Sequence, residues 1–426
     1  MSLLMGTAKV DITPSKPVPL AGYSHRKGNM EGVIRNLYLR ANVFQQADRS
    51  GRIIRLLLAA ADIIWWGSER MEVIRRQLGE RFGFDPAHVV LSASHSHGSP
   101  QTSDMFSAAL GLPDDDYIRQ LEQALYEAVE RAIADMEPVA VEAGRGECRI
   151  GINRRRLVNG VVEMAPNPEG VFDPEVSVFR FATRTGRTKA VFVHYACHPT
   201  TTGVNYAHPD YPGAAAERLE RTLDGANVVF LQGCCGNIRP ALHRDGKFYS
   251  GTEQDVERLG GELADEVMRV LGRPMRPLQA CELGGWRAVV SLPFESVPTE
   301  QMLRAAAEEG GYTADWARKL LERPDLIRTH APLDMTRLDI ADGLSLLAMS
   351  GEIVLEYGMF VKRETGGNVL PLGYCNGMVG YVPTSAQLAE GGYEADRSGI
   401  YFAMPSKFDP SVERIIMEKI TELIRK

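Results

Sequence analysis

Two histidines one residue apart, His95 and His97, close the stretch His88-Val-Val-Leu-Ser-Ala-Ser-His95-Ser-His97-Gly98-Ser-Pro100. In an extended segment, residues i and i+2 point to the same side. Both imidazoles can therefore face one cleft just past the apolar run Val89 to Leu91. Two other apolar runs end alike: Lys189 to Tyr195 leads into Cys197-His198-Pro199-Thr200, and Leu344 to Met349 stops at Ser350-Gly351-Glu352. Chemistry in open α/β sheets sits outside the carboxyl ends of strands, and three such endings are most simply explained by one shared crevice. Two or three imidazoles (His95 or His97, and His198) plus a carboxylate form the ligand set of catalytic zinc, with one position left for water. Zinc makes water acidic enough to supply hydroxide near neutral pH, and an imidazole outside the ligand set can carry the proton. The spacing is no compact motif such as HExxH. Singly, each residue has a plainer reading: polar loop residues for the pair, a backbone-bonded core imidazole for His198, a dipole-stabilised carboxylate for Glu352.

A fourth apolar strand, Asn227 to Leu231, runs into Gln232-Gly233-Cys234-Cys235-Gly236-Asn237. The vicinal cysteines read as small buried residues rather than a redox or metal pair. The turn lacks GxGxxG, which argues against a dinucleotide site, and the absence of GxSxG argues against a serine hydrolase of the α/β-hydrolase type.

The elements that must position these residues follow from periodicity. Ile53 to Trp65 reads as a buried strand, and Ser68 caps a helix to about Arg81. The strand to His95 follows, then a helix from Asp114 to Met136 with Tyr117, Leu121, Leu125, Val129 and Ile133 at helical spacing. This alternation predicts parallel pairing. Residues 138 to 184 read as several strands, with helices near 212–222 and 255–271. Beyond Pro277 come strands near 281–292, helices near 299–322, strands near 334–349, a helix to about Arg363 and a last helix over 410–425. The expected fold is α/β: a central, largely parallel or mixed sheet flanked by helices, with additional β structure. Residues 1–426 form one unit, with room for a subdomain from about 278.

Composition narrows the function. The 426 residues are 44% hydrophobic and 24% charged, with a net charge of −7. No basic stripe is evident, so no nucleic-acid partner is expected. Six cysteines without a CxxC point to reduced thiols. The first residues lack the basic start and apolar core of a signal peptide; Met5 is an alternative start, which would make residues 1–4 a remnant. The longest apolar run, Leu56 to Trp66, is interrupted by Asp62 and falls short of the roughly 20 residues that span a bilayer. These features predict a cytoplasmic protein with a small-molecule substrate and no integral membrane segment, its oligomeric state left open.

Several pieces together carry a resemblance. They are Val10-Asp11-Ile12-Thr13, Ala21-Gly22-Tyr23, Leu37-Tyr38-Leu39-Arg40-Ala41, Leu91 to His97, Asn153-Arg154, His198-Pro199-Thr200, Gly236-Asn237, Gly351-Glu352, Gly380-Tyr381-Val382 and Tyr393-Glu394. In this order, across almost the whole chain, they resemble the catalytic domain of the neutral/alkaline ceramidases, which are zinc-dependent amidases. The resemblance implies zinc held by His95, His198, Glu352 and the phenolic oxygen of Tyr381. It implies His97 as the imidazole that moves a proton or faces the oxyanion, and Arg154 and Tyr393 as groups near the scissile amide. Two departures qualify it. The serine of the family's glycine turn falls at Gly233, where Cys234 next door offers a thiol; with Arg154, these two are the expected substrate contacts. The family's C-terminal immunoglobulin-like domain and secretion signal have no counterpart in the 426 residues. The function expected is therefore a zinc-dependent hydrolase of an amide or related acyl bond in a soluble small molecule. The alternatives are a true ceramidase acting on N-acyl sphingosine and a binding protein that keeps the metal without turnover.

Overall fold

Parallel strands need a crossover of a dozen or more residues between them, usually a helix. Three such crossovers bear on the larger sheets. Ile53–Ala61 pairs in parallel with Val89–Ala93 across the helix Met71–Phe82. Thr188–Tyr195 pairs with Asn227–Gln232 across Asp210–Thr222. Leu344–Met349 pairs with Val369–Leu372 across Leu355–Thr365. In the computed structural model, which describes residues 2–48 and 50–426, the first two units form opposite ends of a nine-stranded sheet. Its order is 227–232, 188–195, 175–183, 137–147, 4–11, 38–47, 53–61, 89–93, with 276–278 added beside 137–147. All its other pairings are antiparallel. The sheet is thus mixed rather than largely parallel, because its central strands are connected without the helical crossover that parallel pairing requires.

Alternation along the strands sorts the core into layers. Leu57, Val191 and Val193 pack on the face carrying the helices Asp115–Ala134, Asp210–Thr222 and Glu253–Leu271. Their neighbours Leu56, Leu58 and Phe192 point the other way, onto Leu338, Leu346 and Leu370 of a second sheet. That sheet runs 284–293, 330–341, 344–349, 369–372. Its far face, with Leu333, Leu347 and Met349, belongs to the same cluster as Val361 of the 355–365 helix and Ile416 and Ile420 of Ser411–Ile424. Helix, sheet, sheet, helix is the result, and strands covered on both faces explain the nearly continuous apolar runs. This second sheet begins at Gly284 and packs face to face on the first.

Local expectations meet two corrections. The strand from Ile53 ends at Ala61, and Ile63 to Trp66 continue as buried loop. Ser68 does not cap the helix that follows. Its hydroxyl donates to the Met378 carbonyl at 3.0 Å and accepts from the Met378 amide at 2.8 Å, tying the loop to the second half of the chain. The helix from Asp115 has Asp114 as its cap and buries Tyr117, Leu121, Leu125 and Val129 as its periodicity predicts. Met1, the first of the two start positions considered, lies outside the described residues; Leu4 and Met5 are part of the first strand. No helix among the described residues is long and apolar enough to cross a membrane.

Candidate metal centre

Each crossover strand hands the chain to the site within three residues of its end. His95 follows Ala93 by two and is held at φ +65°, in the left-handed region that a β-carbon disfavours. Such strain is retained where the surroundings over-determine it. His198 lies three past Tyr195, and Glu352 three past Met349. Glu352 opens a two-residue strand paired in parallel with Tyr381–Val382, which sets Glu352 beside Tyr381.

The hydrogen bonds fix which nitrogens are free. His95 Nδ1 lies 2.9 Å from the Ile64 carbonyl. His198 Nδ1 lies 2.8 Å from both the Cys235 and the Ile238 carbonyls. A carbonyl only accepts, so each Nδ1 carries the proton and each Nε2 presents its lone pair. Both Nε2 atoms turn to Glu352 Oε2, at 3.5 Å from His95 and 3.0 Å from His198. All three side chains are buried, and their donor atoms lie within 4.8 Å of one another. Burial pushes the His198 imidazole down to about 4. Burial would raise Glu352, but His95 and His198 beside it hold its carboxyl well below the usual range. Two ring nitrogens and a carboxylate oxygen aimed at one point call for a proton or cation among them. The donor set therefore fits a divalent cation that accepts nitrogen and oxygen, zinc foremost. The Tyr381 hydroxyl is 3.4 Å from His198 Nε2, in reach of the same point.

His97 stands outside this triad, with Nε2 3.3 Å from His95 Nε2 and Nδ1 buried without a partner. Burial holds it well below its usual value, hence neutral. Its ring leans on Tyr23, and Gly22, at φ +92°, leaves room for it: a β-carbon there would come within 2.4 Å of His97 Nδ1.

Arg154 reaches the site through a bulge. The register of 151–158 against 161–167 shifts between Asn153 and Arg155, and such an extra residue re-aims side chains. Arg154 and Arg155 are consequently both buried, and Glu394 bridges them at 2.7 and 2.9 Å. The Arg154 guanidinium faces the rings of Tyr381 and Tyr393, with Nη2 unpartnered. A cleft of about 260 Å³ opens over these groups, lined by His97, Arg154, His198, Tyr381 and Tyr393, with Tyr23, Thr200 and Arg239 beside them.

Gly233 and Cys234 do not line it. A β-carbon on Gly233 would meet Ala196 and His194, and Cys234 is buried against Gly358. The expected substrate contact at these two has no counterpart in the cleft, because the turn directs their side positions into the core. The turn contributes main chain instead: Cys235 and Ile238 carbonyls orient His198, and the Asn237 carbonyl accepts from the Arg154 amide at 3.0 Å. Sequence reasoning missed Tyr374, whose ring stacks on His95 at 4.1 Å and whose hydroxyl lies 3.4 Å from His198 Nε2. It follows the apolar strand Val369–Leu372 by two residues, the same signal that exposed the histidines.

The profile described as "Neutral/alkaline non-lysosomal ceramidase, N-terminal" matches residues 3–251, more than half of the chain. The chain belongs to this family. It is 25% identical over 245 residues to the neutral ceramidase of Mycobacterium tuberculosis, covering 53% of this chain and 37% of that protein. It is 24% identical over 281 residues to the neutral ceramidase of Drosophila pseudoobscura pseudoobscura, covering 59% and 38%. The matched region thus spans well under half of either curated relative. The neutral ceramidase from Pseudomonas aeruginosa superposes with a TM-score of 0.76 at 19% identity, over 99% of this chain and 73% of that one. A structure of ceramidase complexed with C2 matches equally, covering 74% of that chain. The family's mixed, helix-flanked sheet architecture is shared over nearly the full length of this chain.

Proposed function

We propose that this ceramidase-family protein is a metal-dependent amidohydrolase: it cleaves an N-acyl bond with a divalent cation, zinc by donor chemistry, bound by His95, His198 and Glu352 with Tyr381 as the fourth ligand. The observation that carries this reading is the convergence of two carbonyl-oriented Nε2 lone pairs and one ionised carboxylate beneath a cleft. When bound, the cation supplies Lewis acidity toward the carbonyl and lowers the pKa of water. His97, neutral and with Nε2 turned toward the donor set, would take a proton from the attacking water and return it to the leaving nitrogen. Arg154, oriented by Glu394 and with Nη2 spare, and the Tyr393 phenol donate to the developing oxyanion. Membership in the family, and the names of the relatives, support N-acyl sphingosine as the amide ahead of the soluble small molecule expected from the sequence.

The test is hydrolysis of a fluorescent short-chain ceramide in detergent, beside simple N-acyl amides, with chelation and zinc add-back. Turnover that disappears with chelator and returns with zinc is expected. A zinc-loaded protein that turns over none of them is instead a metal-retaining binding protein.

A further inference from the structure

Arg239 is the cleft's unexplained charge. It sits one residue past Ile238, whose carbonyl orients His198, and its side chain lines the same cleft as His97 and Arg154. Arg154 has Glu394; Arg239 has no carboxylate partner among the described residues, and its Nε is buried without an acceptor. What fixes it is an aromatic face: its guanidinium lies 4.3 Å from the centre of the Phe248 ring. No aspartate or glutamate lines the cleft. Thr200, which lines the same cleft and is only 8% exposed, also has an unpartnered hydroxyl oxygen. A cation held in place by a ring and left without an anion is preorganised for one that arrives with a ligand. N-acyl sphingosine, being neutral, gives this arginine nothing to pair with.

We infer that Arg239, with Thr200 lining the same cleft, is an anion-recognition subsite, so that among N-acyl amides this cleft prefers those bearing a negatively charged group over the unsubstituted N-acyl sphingosine. The inference rests on the amidohydrolase reading for its choice of N-acyl amides, but the binding it asserts needs no turnover. The anion could be the carboxylate of an N-acyl amino acid or the phosphate of a phosphorylated ceramide, so two matched pairs serve as probes. They are N-octanoylglycine against N-octanoylglycinamide, and C8 ceramide 1-phosphate against C8 ceramide.

Binding is measured by calorimetry on the full chain with chelator present, so that nothing is consumed. In at least one pair the anionic member binds about tenfold tighter or more, and that pair names the source. Arg239→Met keeps contact with Phe248 and should bring the ratio to near unity; Arg239→Lys should retain part of it. Equal affinity within both pairs overturns the inference, as does a preference that survives in Arg239→Met at an unchanged melting temperature. Failure of the hydrolase reading shows up separately, as zinc-loaded protein that binds the anionic probe but turns over neither pair.

Discussion

His95 and His198 each give their Nδ1 proton to the main chain, which commits both Nε2 atoms to one point beside Glu352. Removing one of the proposed ligands should break the set. His95→Ala and Glu352→Ala are each expected to lose stoichiometric zinc and to lower kcat/KM by at least about 100-fold, read by elemental analysis and the amide assay. Full zinc retention in both variants would falsify the ligand assignment. Acidification acts on other buried imidazoles. Burial pushes His194 down to about 4 and His208 to about 3, from an ordinary 6.5. Below about 6.5 the unfolded chain takes up protons that the folded one refuses, so stability is lost as pH falls from there to about 3. Asp210, raised by burial to about 6 from 3.8, works oppositely, because its folded form protonates first. At about 1.4 kcal/mol per pKa unit the two histidines outweigh the one aspartate. Calorimetry should show Tm falling by several degrees between pH 7 and pH 4.5, with most of the loss below pH 6.5.

At the scale of elements, the site is assembled by strand ends and by the segments packed against them. The loop at Gly22 presses on His97 closely enough that no side chain fits between. Gly22→Ala should therefore displace His97 and cut kcat at least about tenfold while zinc stays bound; metal content and kcat measured on one preparation separate the two effects. The bulge that turns Arg154 inward depends on Glu394, which lies in the 393–397 turn and answers two buried guanidinium groups. Removing one partner of a buried ion pair costs about 3–5 kcal/mol. Glu394→Ala should shift the denaturant midpoint accordingly, and Glu394→Gln, which can still accept hydrogen bonds, should shift it less.

For the whole molecule, the two sheets share their interior. Leu346 and Leu370 of the second lie in one cluster with Phe192 and Leu231 of the first, and Glu352 and Tyr381 enter the site from the second half of the chain. A fragment ending at residue 277 would expose that sheet face and lack two of the proposed ligands. It is expected to show no cooperative thermal transition and no zinc binding; a folded, cooperatively melting fragment would make the region from about 278 an independent subdomain. Within the intact core, Leu346→Ala should cost about 2–5 kcal/mol, measured by chemical denaturation.

The legible part of this protein was what one strand or one helix determines alone. Apolar runs gave the strands near 89, 188, 227 and 344, helical spacing gave Tyr117 to Val129, and strand endings gave His95, His198 and Glu352, because a period of two or 3.6 and an abrupt polar stop are local properties of the chain. The order of the sheet, with its antiparallel centre, depends on which distant runs share hydrogen bonds. So do the burial of Arg154 by a bulge and a glutamate 240 residues away, the stacking of Tyr374 on His95, and the turning of Cys234 into the core. Those outcomes were decided by the tertiary structure, since they are settled by partners that the chain brings near only when both sheets have closed on one another.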